Sequence, residues 1–173
     1  MDSPPFPAAA IEAAREAAKA QLRIEGASED ALVAQYAASA LALCEAFTGT
    51  AWIAREFVEI ADPQRRWHAL AMAPVTAVTA VTGPAGEALP ADGYAIDVDA
   101  GGTGWVRAGT RVRVAYGAGA AAGWGDLPPP IAQGVVLLVA HLFEGRTGPP
   151  PAVVSALWRP WRRLRLAAAE RAA

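Results

Sequence analysis

The apolar positions of this chain change period twice, from helical spacing to strand alternation and back. The clearest helical pattern runs from Leu127 to Arg146, LPPPIAQGVVLLVAHLFEGR. Ile131, Val135, Leu138 and Leu142 share one face there, and Val136 and Val139 widen it. A proline suits the first helical position, where its missing N–H has no partner to lose, so Pro128, Pro129 and Pro130 mark the start. Gly145 and Gly148 are stop signals, with Arg146 near the negative end of the helix dipole. So much apolar surface on a short helix predicts a central core element against which the rest packs.

Two helices are predicted before it. Met1 to Pro7 is proline-rich and reads as an irregular arm. Ala8 to Arg23 follows with Ile11, Ala14, Ala18 and Leu22 on one narrow face of mostly methyl groups. Ser28 is the expected N-cap of the second helix, with Glu29 and Asp30 in its first turn. Its predicted buried stripe is Leu32, Tyr36, Ala40, Leu43 and Phe47, and Gly49 ends it. Cys44 lies beside that stripe and reads as a small buried hydrophobe.

From Ala51 the period shortens. Trp52 to Ile60, Trp67 to Met72 and Val75 to Thr82 read as strands, punctuated by Asp62-Pro63 and Pro74. Gly83-Pro84-Ala85-Gly86 is a turn. Tyr94, Ile96 and Val98 then alternate with Ala95, Asp97 and Asp99. A glycine-rich tip leads to Trp105-Val106, and Val112, Val114 and Tyr116 alternate with Arg111, Arg113 and Ala115. Short turns between strands predict antiparallel pairing. The order helix, helix, strands, helix, tail predicts an α+β fold. In it a small helical bundle surrounds the central helix, beside a small antiparallel β-sheet region. The expected organisation is one domain over residues 1–150 and a projecting, basic C-terminal arm over 151–173.

Length and composition agree with this. A chain of 173 residues is one domain by size, able to bury about 70% of its unfolded surface. It is 54% hydrophobic and 18% charged, yet no run of ~18 uninterrupted apolar residues predicts a membrane span. MDSPPFPAAA lacks the basic start of a secretory signal, and a single cysteine excludes an internal disulfide framework. The net charge of −2 is unevenly spread. Arg159, Arg162, Arg163, Arg165 and Arg171 face only Glu170 in the last fifteen residues, a local balance of +4.

The sequence offers little for catalysis. Gly117 to Gly123 follows a strand but misses the dinucleotide glycine spacing by one residue, and WGDLPPP cannot open a helix onto a phosphate. His141 and Glu144 are three apart on the core helix, with no second ligand motif, so His141 reads as structural. Asp92, Asp97 and Asp99 lack the other ligands of a calcium loop, and no nucleophile elbow is present. No enzyme, cofactor or metal site is expected. The tail is different. Leu157, Trp158, Arg159, Trp161, Arg162, Arg163 and Arg165 combine the residue types most enriched at binding hot spots. They would suit an acidic protein surface or, alternatively, a nucleic-acid backbone gripped through phosphate. A third possibility is a helix docked on its own domain with arginines in solvent.

The order of these pieces resembles the head–tail connector (adaptor) family of long-tailed phages, prophages and gene transfer agents. The resemblance rests on Leu22-Arg23-Ile24-Glu25 with Glu29-Asp30, Glu45-Ala46-Phe47-Thr48-Gly49, and Met72-Ala73-Pro74-Val75 leading to Val78 and Val81. It continues through Tyr94 with Asp97, VRVAYGAG at Val112 to Gly119, Leu127-Pro128 opening IAQGVVLLVAHLFEGR, and Leu157-Trp158-Arg159-Pro160-Trp161-Arg162-Arg163. It spans Lys19 to Leu166, and order and spacing carry it. Phe143, Gly145 and Trp161 depart from the family's usual tyrosine, asparagine and tyrosine, and the loop around Ala120 is less typical. The resemblance implies a structural protein of the virion or particle neck, made in the bacterial cytoplasm. It implies a ring of twelve copies beneath the portal protein, extending the DNA channel and carrying a stopper or tail-completion protein. The Trp/Arg segment would then be the portal-binding arm, and loops between Gly83 and Gly109 would meet neighbours or the tail. No membrane partner is implied.

Overall fold

The computed structural model describes residues 4–145 and 148–163, apart from the side chains of Gln64 and Arg65. The chain forms two compact units, a helical one from Phe6–Ile53 and Ala121–Arg163 and a sheet unit centred on Ala54–Ala120. The fold is α+β, as expected.

The helical unit contains α1 (Ala8–Leu22), α2 (Asp30–Thr48), α3 (Pro129–Phe143) and α4 (Ala152–Trp158), with short 3-10 turns at Trp124–Asp126 and Arg159–Trp161. Prolines do occupy the first positions of α3, and Ile131, Val135, Leu138 and Val139 are buried at the centre of the core. Ala10, Ala14 and Ala18 of α1 meet Ala37 and Ala40 of α2 in that core, where methyl groups let helices approach closely. Lys19, nearly buried on α1, forms an ion pair with Asp30 at the start of α2. That hydrogen bond from Lys19 holds the Asp30 carboxyl below its ordinary range.

Two expectations for α2 need correction. Its N-cap is Glu29 rather than Ser28, and no side chain caps it. Its buried face is Val33, Ala37, Ala40, Leu41, Cys44 and Thr48, one position round from the predicted stripe. Leu32 and Leu43 are left 38% and 50% exposed. The physical reason is composition: between Asp30 and Glu45 no charged residue marks the outside, so periodicity alone does not fix which apolar face turns inward.

The sheet unit holds two antiparallel three-stranded sheets, ordered β1-β6-β3 and β2-β5-β4. Their strands are β1 (Arg55–Ala61), β2 (Gln64–Ala69), β3 (Val75–Thr82), β4 (Tyr94–Val98), β5 (Gly104–Ala108) and β6 (Val112–Ala118). The predicted strand at Trp52 starts later, at Arg55. Trp52 and Ile53 belong to the helical core instead, with Ala121 N–H donating to the Trp52 carbonyl at 2.9 Å. Branched and aromatic residues suit a buried crossover as well as a strand, which is why the pattern misplaced the boundary. Alternation in β6 sends Val112, Val114 and Tyr116 inward, and Phe57 stacks on Tyr116 with ring centroids 5.8 Å apart.

Candidate functional site

The C-terminal segment, expected to project, is packed on the helical unit as far as Arg163. Trp158 is 3% exposed and sits across α3 at Gly134, where a Cβ would lie 2.1 Å from its Nε1. Its indole N–H donates to the Ile131 carbonyl at 3.3 Å, and its ring lies tilted against Phe47, centroids 6.0 Å apart. Val154, one turn earlier, is buried with it. The cause is the apolar area of Val154 and Trp158, which a chain free in solvent would leave wet. Arg165 lies outside the described residues.

A second tryptophan is set on this base. Trp161, 39% exposed, meets Trp52 edge to face at 5.6 Å. Trp52 is itself fixed, its backbone N–H donating to Glu45 Oε1 at 2.7 Å and its indole N–H to Thr48 Oγ1 at 2.9 Å. The Arg163 N–H donates to the Thr48 carbonyl at 2.7 Å, tying the segment to the end of α2. There Gly49 adopts the left-handed conformation that lets the chain turn off the helix. The Arg162 guanidinium lies 5.7 Å over the Phe47 ring, and Arg159, Arg162 and Arg163 are all exposed. Pro130, Ala156, Leu157, Pro160 and Trp161 line an apolar concavity of about 440 Å³.

Leu157, Trp158, Arg159, Trp161, Arg162 and Arg163 therefore divide their work. Trp158 anchors the segment, Leu157 and Trp161 line the concavity, and the three arginines are exposed, with Arg162 over the Phe47 ring. Pro130 and Trp52 were missed by reading the sequence, because both lie far along the chain from the tail. A signal for the contact did exist: a lone glycine, Gly134, inside an otherwise strongly apolar helix marks close approach by another group.

The remaining polar clusters are structural. Glu59, buried, accepts hydrogen bonds from His68 Nε2 at 3.1 Å, Ala71 N–H at 2.9 Å and the Tyr116 hydroxyl at 2.9 Å. Burial alone would push Glu59 up, but these three donors outweigh it and hold it below the ordinary carboxylate value; the same hydrogen bond raises His68. Asp99 Oδ1 accepts from the N–H groups of Gly101 and Thr103, and Oδ2 from the Trp105 indole, closing the β4–β5 loop. His141 donates to the Gly148 carbonyl at 3.2 Å. Burial pushes the Cys44 thiol far up, which makes it a poor nucleophile. Where the glycine-rich stretch leaves β6, the backbone of Ala54 fills the space beside Gly119, 2.2 Å from where a Cβ would be. No group of three metal-ligating side chains occurs among the described residues.

The segment thus combines a buried tryptophan, an apolar concavity and three exposed arginines nearby in sequence. No protein-family model matches the sequence, and no curated protein does. Solved structures do. The chain is similar to a chain in the neck of an empty gene transfer agent particle computed with C6 symmetry (TM-score 0.75, 28% identity, covering 99% of this chain and 100% of that one). It is similar to one in the neck of the native particle computed with C12 symmetry (TM-score 0.71, 28% identity, 99% and 100% covered) and to one in the native virion (TM-score 0.71, 28% identity, 97% of each). The class is thus a structural neck protein. These likenesses support a head–tail connector or neck protein of phage-like particles.

Proposed function

We propose that this protein is the adaptor of a phage-like particle, forming a twelve-membered ring beneath the portal protein. The ring extends the DNA channel and offers its other side to a stopper or tail-completion protein. DNA passes through it without being read. The observation that carries this is end-to-end similarity to chains in particle necks, one of them of C12 symmetry.

The portal-docking surface is the Trp161 concavity with Arg159, Arg162 and Arg163; Arg165, of the same arginine run, lies outside the described residues. An apolar ridge on the portal would fill the concavity while carboxylates meet the arginines, an arrangement that places bidentate pairs round a desolvated centre. The test is capture on immobilised portal protein from the same particle. Full-length protein is expected to be retained in moderate salt, and a W161A/R159E/R162E variant at least ~10-fold less, since all three positions are exposed. Equal retention would move docking elsewhere on the adaptor. Failure of the full-length protein to bind portal, together with DNA retardation that falls steeply with salt, would replace the adaptor by a nucleic-acid-binding module.

A further inference from the structure

The two sheets leave one edge unguarded. Of the four edge strands, β1 carries Arg55, Glu56 and Glu59, β2 carries Arg65 and Arg66, and β3 shifts register twice against β6. Charges and bulges of this kind keep a sheet edge from pairing with another chain. β4 pairs with β5 over all five residues without a shift, and its one charge, Asp97, is acidic. The Asp99 N–H donates to the Thr103 carbonyl at 3.0 Å, which makes theirs a hydrogen-bonded pair. Alternation then gives the bonds of the β4–β5 ladder to Asp97 and Ala95. It turns the N–H and C=O groups of Tyr94, Ile96 and Val98 away from β5. No backbone partner on that side occurs among the described residues.

The same residues present apolar side chains. Ile96, Val106 and His68 form one cross-strand row, and His68 reaches Glu59 on β1, so this face is turned to the β1-β6-β3 sheet. Val106 is buried there, but Ile96 and Val98, at the edge, are left 45% and 42% exposed. Val78 and Val81 of β3, in register with buried Tyr116 and Val114, are only half-buried. The flank is also acidic. Ala69 to Val106 contains Glu87, Asp92, Asp97 and Asp99 and no lysine, arginine or histidine. The Arg107 guanidinium of β5 lies 5.0 Å over the Trp67 ring of β2, on the side of β5 away from β4. Arg113 of β6 stands on the opposite face of its sheet from Val112 and Val114.

We propose that the free edge of β4 docks an extended, basic segment of another protein, which adds to the β2-β5-β4 sheet as a further strand. A row of unanswered backbone donors and acceptors is the complement of another extended backbone. Alternate side chains of the added strand cover Ile96 and Val98. Those between them fall on the face that carries Asp97. The pattern that fits is therefore apolar residues alternating with lysine or arginine. Opposite charge favours that partner, and it disfavours a second copy's β4, which would bring one Asp97 towards another. At about 3.4 Å per residue, β4 offers about 17 Å of edge, the length of a five- or six-residue segment. The site lies within one copy, so its failure leaves the neck reading standing.

The experiment is amide exchange by NMR on the full-length protein, with an end-blocked lysine–valine hexapeptide (KVKVKV) as probe. Saturating peptide is expected to slow exchange of the Tyr94, Ile96 and Val98 amides at least ~10-fold. Ala95 and Asp97, already bonded to β5, should not change. The glutamate counterpart (EVEVEV) and a proline-interrupted one (KVPVKV) are expected to give no protection. I96P removes an outward N–H but no bond of the β4–β5 ladder, and should weaken binding of the lysine peptide at least ~10-fold. I96K adds a like charge at an exposed side chain and should do the same, which decides the matter if the proline variant does not fold. Protection of other amides only, equal protection by the glutamate peptide, or full binding by I96K would overturn the proposal. So would Tyr94, Ile96 and Val98 amides already slow in the protein alone, since another copy or another part of this chain would then hold the edge.

Discussion

The helical unit and the sheet unit are held together by different things. The first is organised by shape. Alanine methyls bring α1 and α2 together, Gly134 leaves a slot, and Trp158 fills it. Its buried carboxylate Glu45 serves to anchor the Trp52 backbone. The second unit is organised by a shared polar group: Glu59 on β1 gathers donors from β2, the Ala71 turn and β6. Shape is sensitive to atoms added or removed, whereas a buried carboxylate is sensitive to its donors and to pH. The two units should therefore fail under different perturbations.

The largest expected effect is in the helical unit. W158A removes a fully buried indole whose slot cannot collapse onto rigid α3, and should cost about 3–5 kcal/mol in denaturant unfolding. G134A attacks the same contact from the other side and should cost about 1–3 kcal/mol by overpacking. Hydrogen exchange should then quicken over α2, α3 and α4 and leave β1, β2 and β6 as they were. Equal quickening in both units would erase the distinction. In the sheet unit, Y116F leaves Glu59 and the Met72 N–H, 3.2 Å from the hydroxyl, each short of a partner, for about 1–3 kcal/mol. Its exchange pattern should be the converse.

The same contrast governs what could be read in advance. α3 was legible because prolines and a 3–4 apolar pattern are local signals, and β3 ran from Val75 to Thr82 as expected because turn residues bound it on both sides. Which strands pair was not legible. β1 skips its sequence neighbour β2 and pairs with β6, a choice made by long-range burial. Nor was the inner face of α2, since the stretch between Asp30 and Glu45 carries no charge to mark an outside. At the candidate site, composition identified the Trp/Arg segment, but its packing depends on Trp52, Pro130 and Gly134. These stand 106, 28 and 24 positions before Trp158 (158 − 52, 158 − 130, 158 − 134). No local pattern announces that they meet.

A smaller effect is expected at the β4–β5 loop. Asp99 is held below the ordinary carboxylate range first by the Trp105 indole and then by the Thr103 backbone. D99A leaves these donors to solvent, at a cost of about 1 kcal/mol because the loop is open to water. Asparagine, which keeps an acceptor, should recover much of it. A D99A protein as stable as the parent would show that the loop closes without its aspartate.

The smallest effect, and the one that most sharpens the comparison, is pH dependence. His68 is raised above its ordinary value of 6.5, by the Glu59 hydrogen bond first and by the charges of Glu59 and Asp62, against partial burial. Its contribution is therefore complete below pH 6.5 and is lost as pH rises through the folded value. Glu59 is lowered from 4.5, so its contribution is complete above that pH and is lost as pH falls through the folded value. The pair should stabilise the sheet unit most between about pH 4.5 and 6.5. On the acid side Asp30, held low by Lys19, makes the helical unit weaken too, so that limb does not separate the units. The basic side does. Between pH 6 and 8 the parent should lose a few degrees of melting temperature, with exchange quickening on β1 and β2 ahead of α2 and α3. H68Q, which keeps a donor for Glu59 but cannot take up a charge, should flatten that slope. If H68Q and the parent decline in parallel, the His68–Glu59 pair is not what couples the sheet unit to pH, and its carboxylate is a purely geometric support like the slot under Trp158.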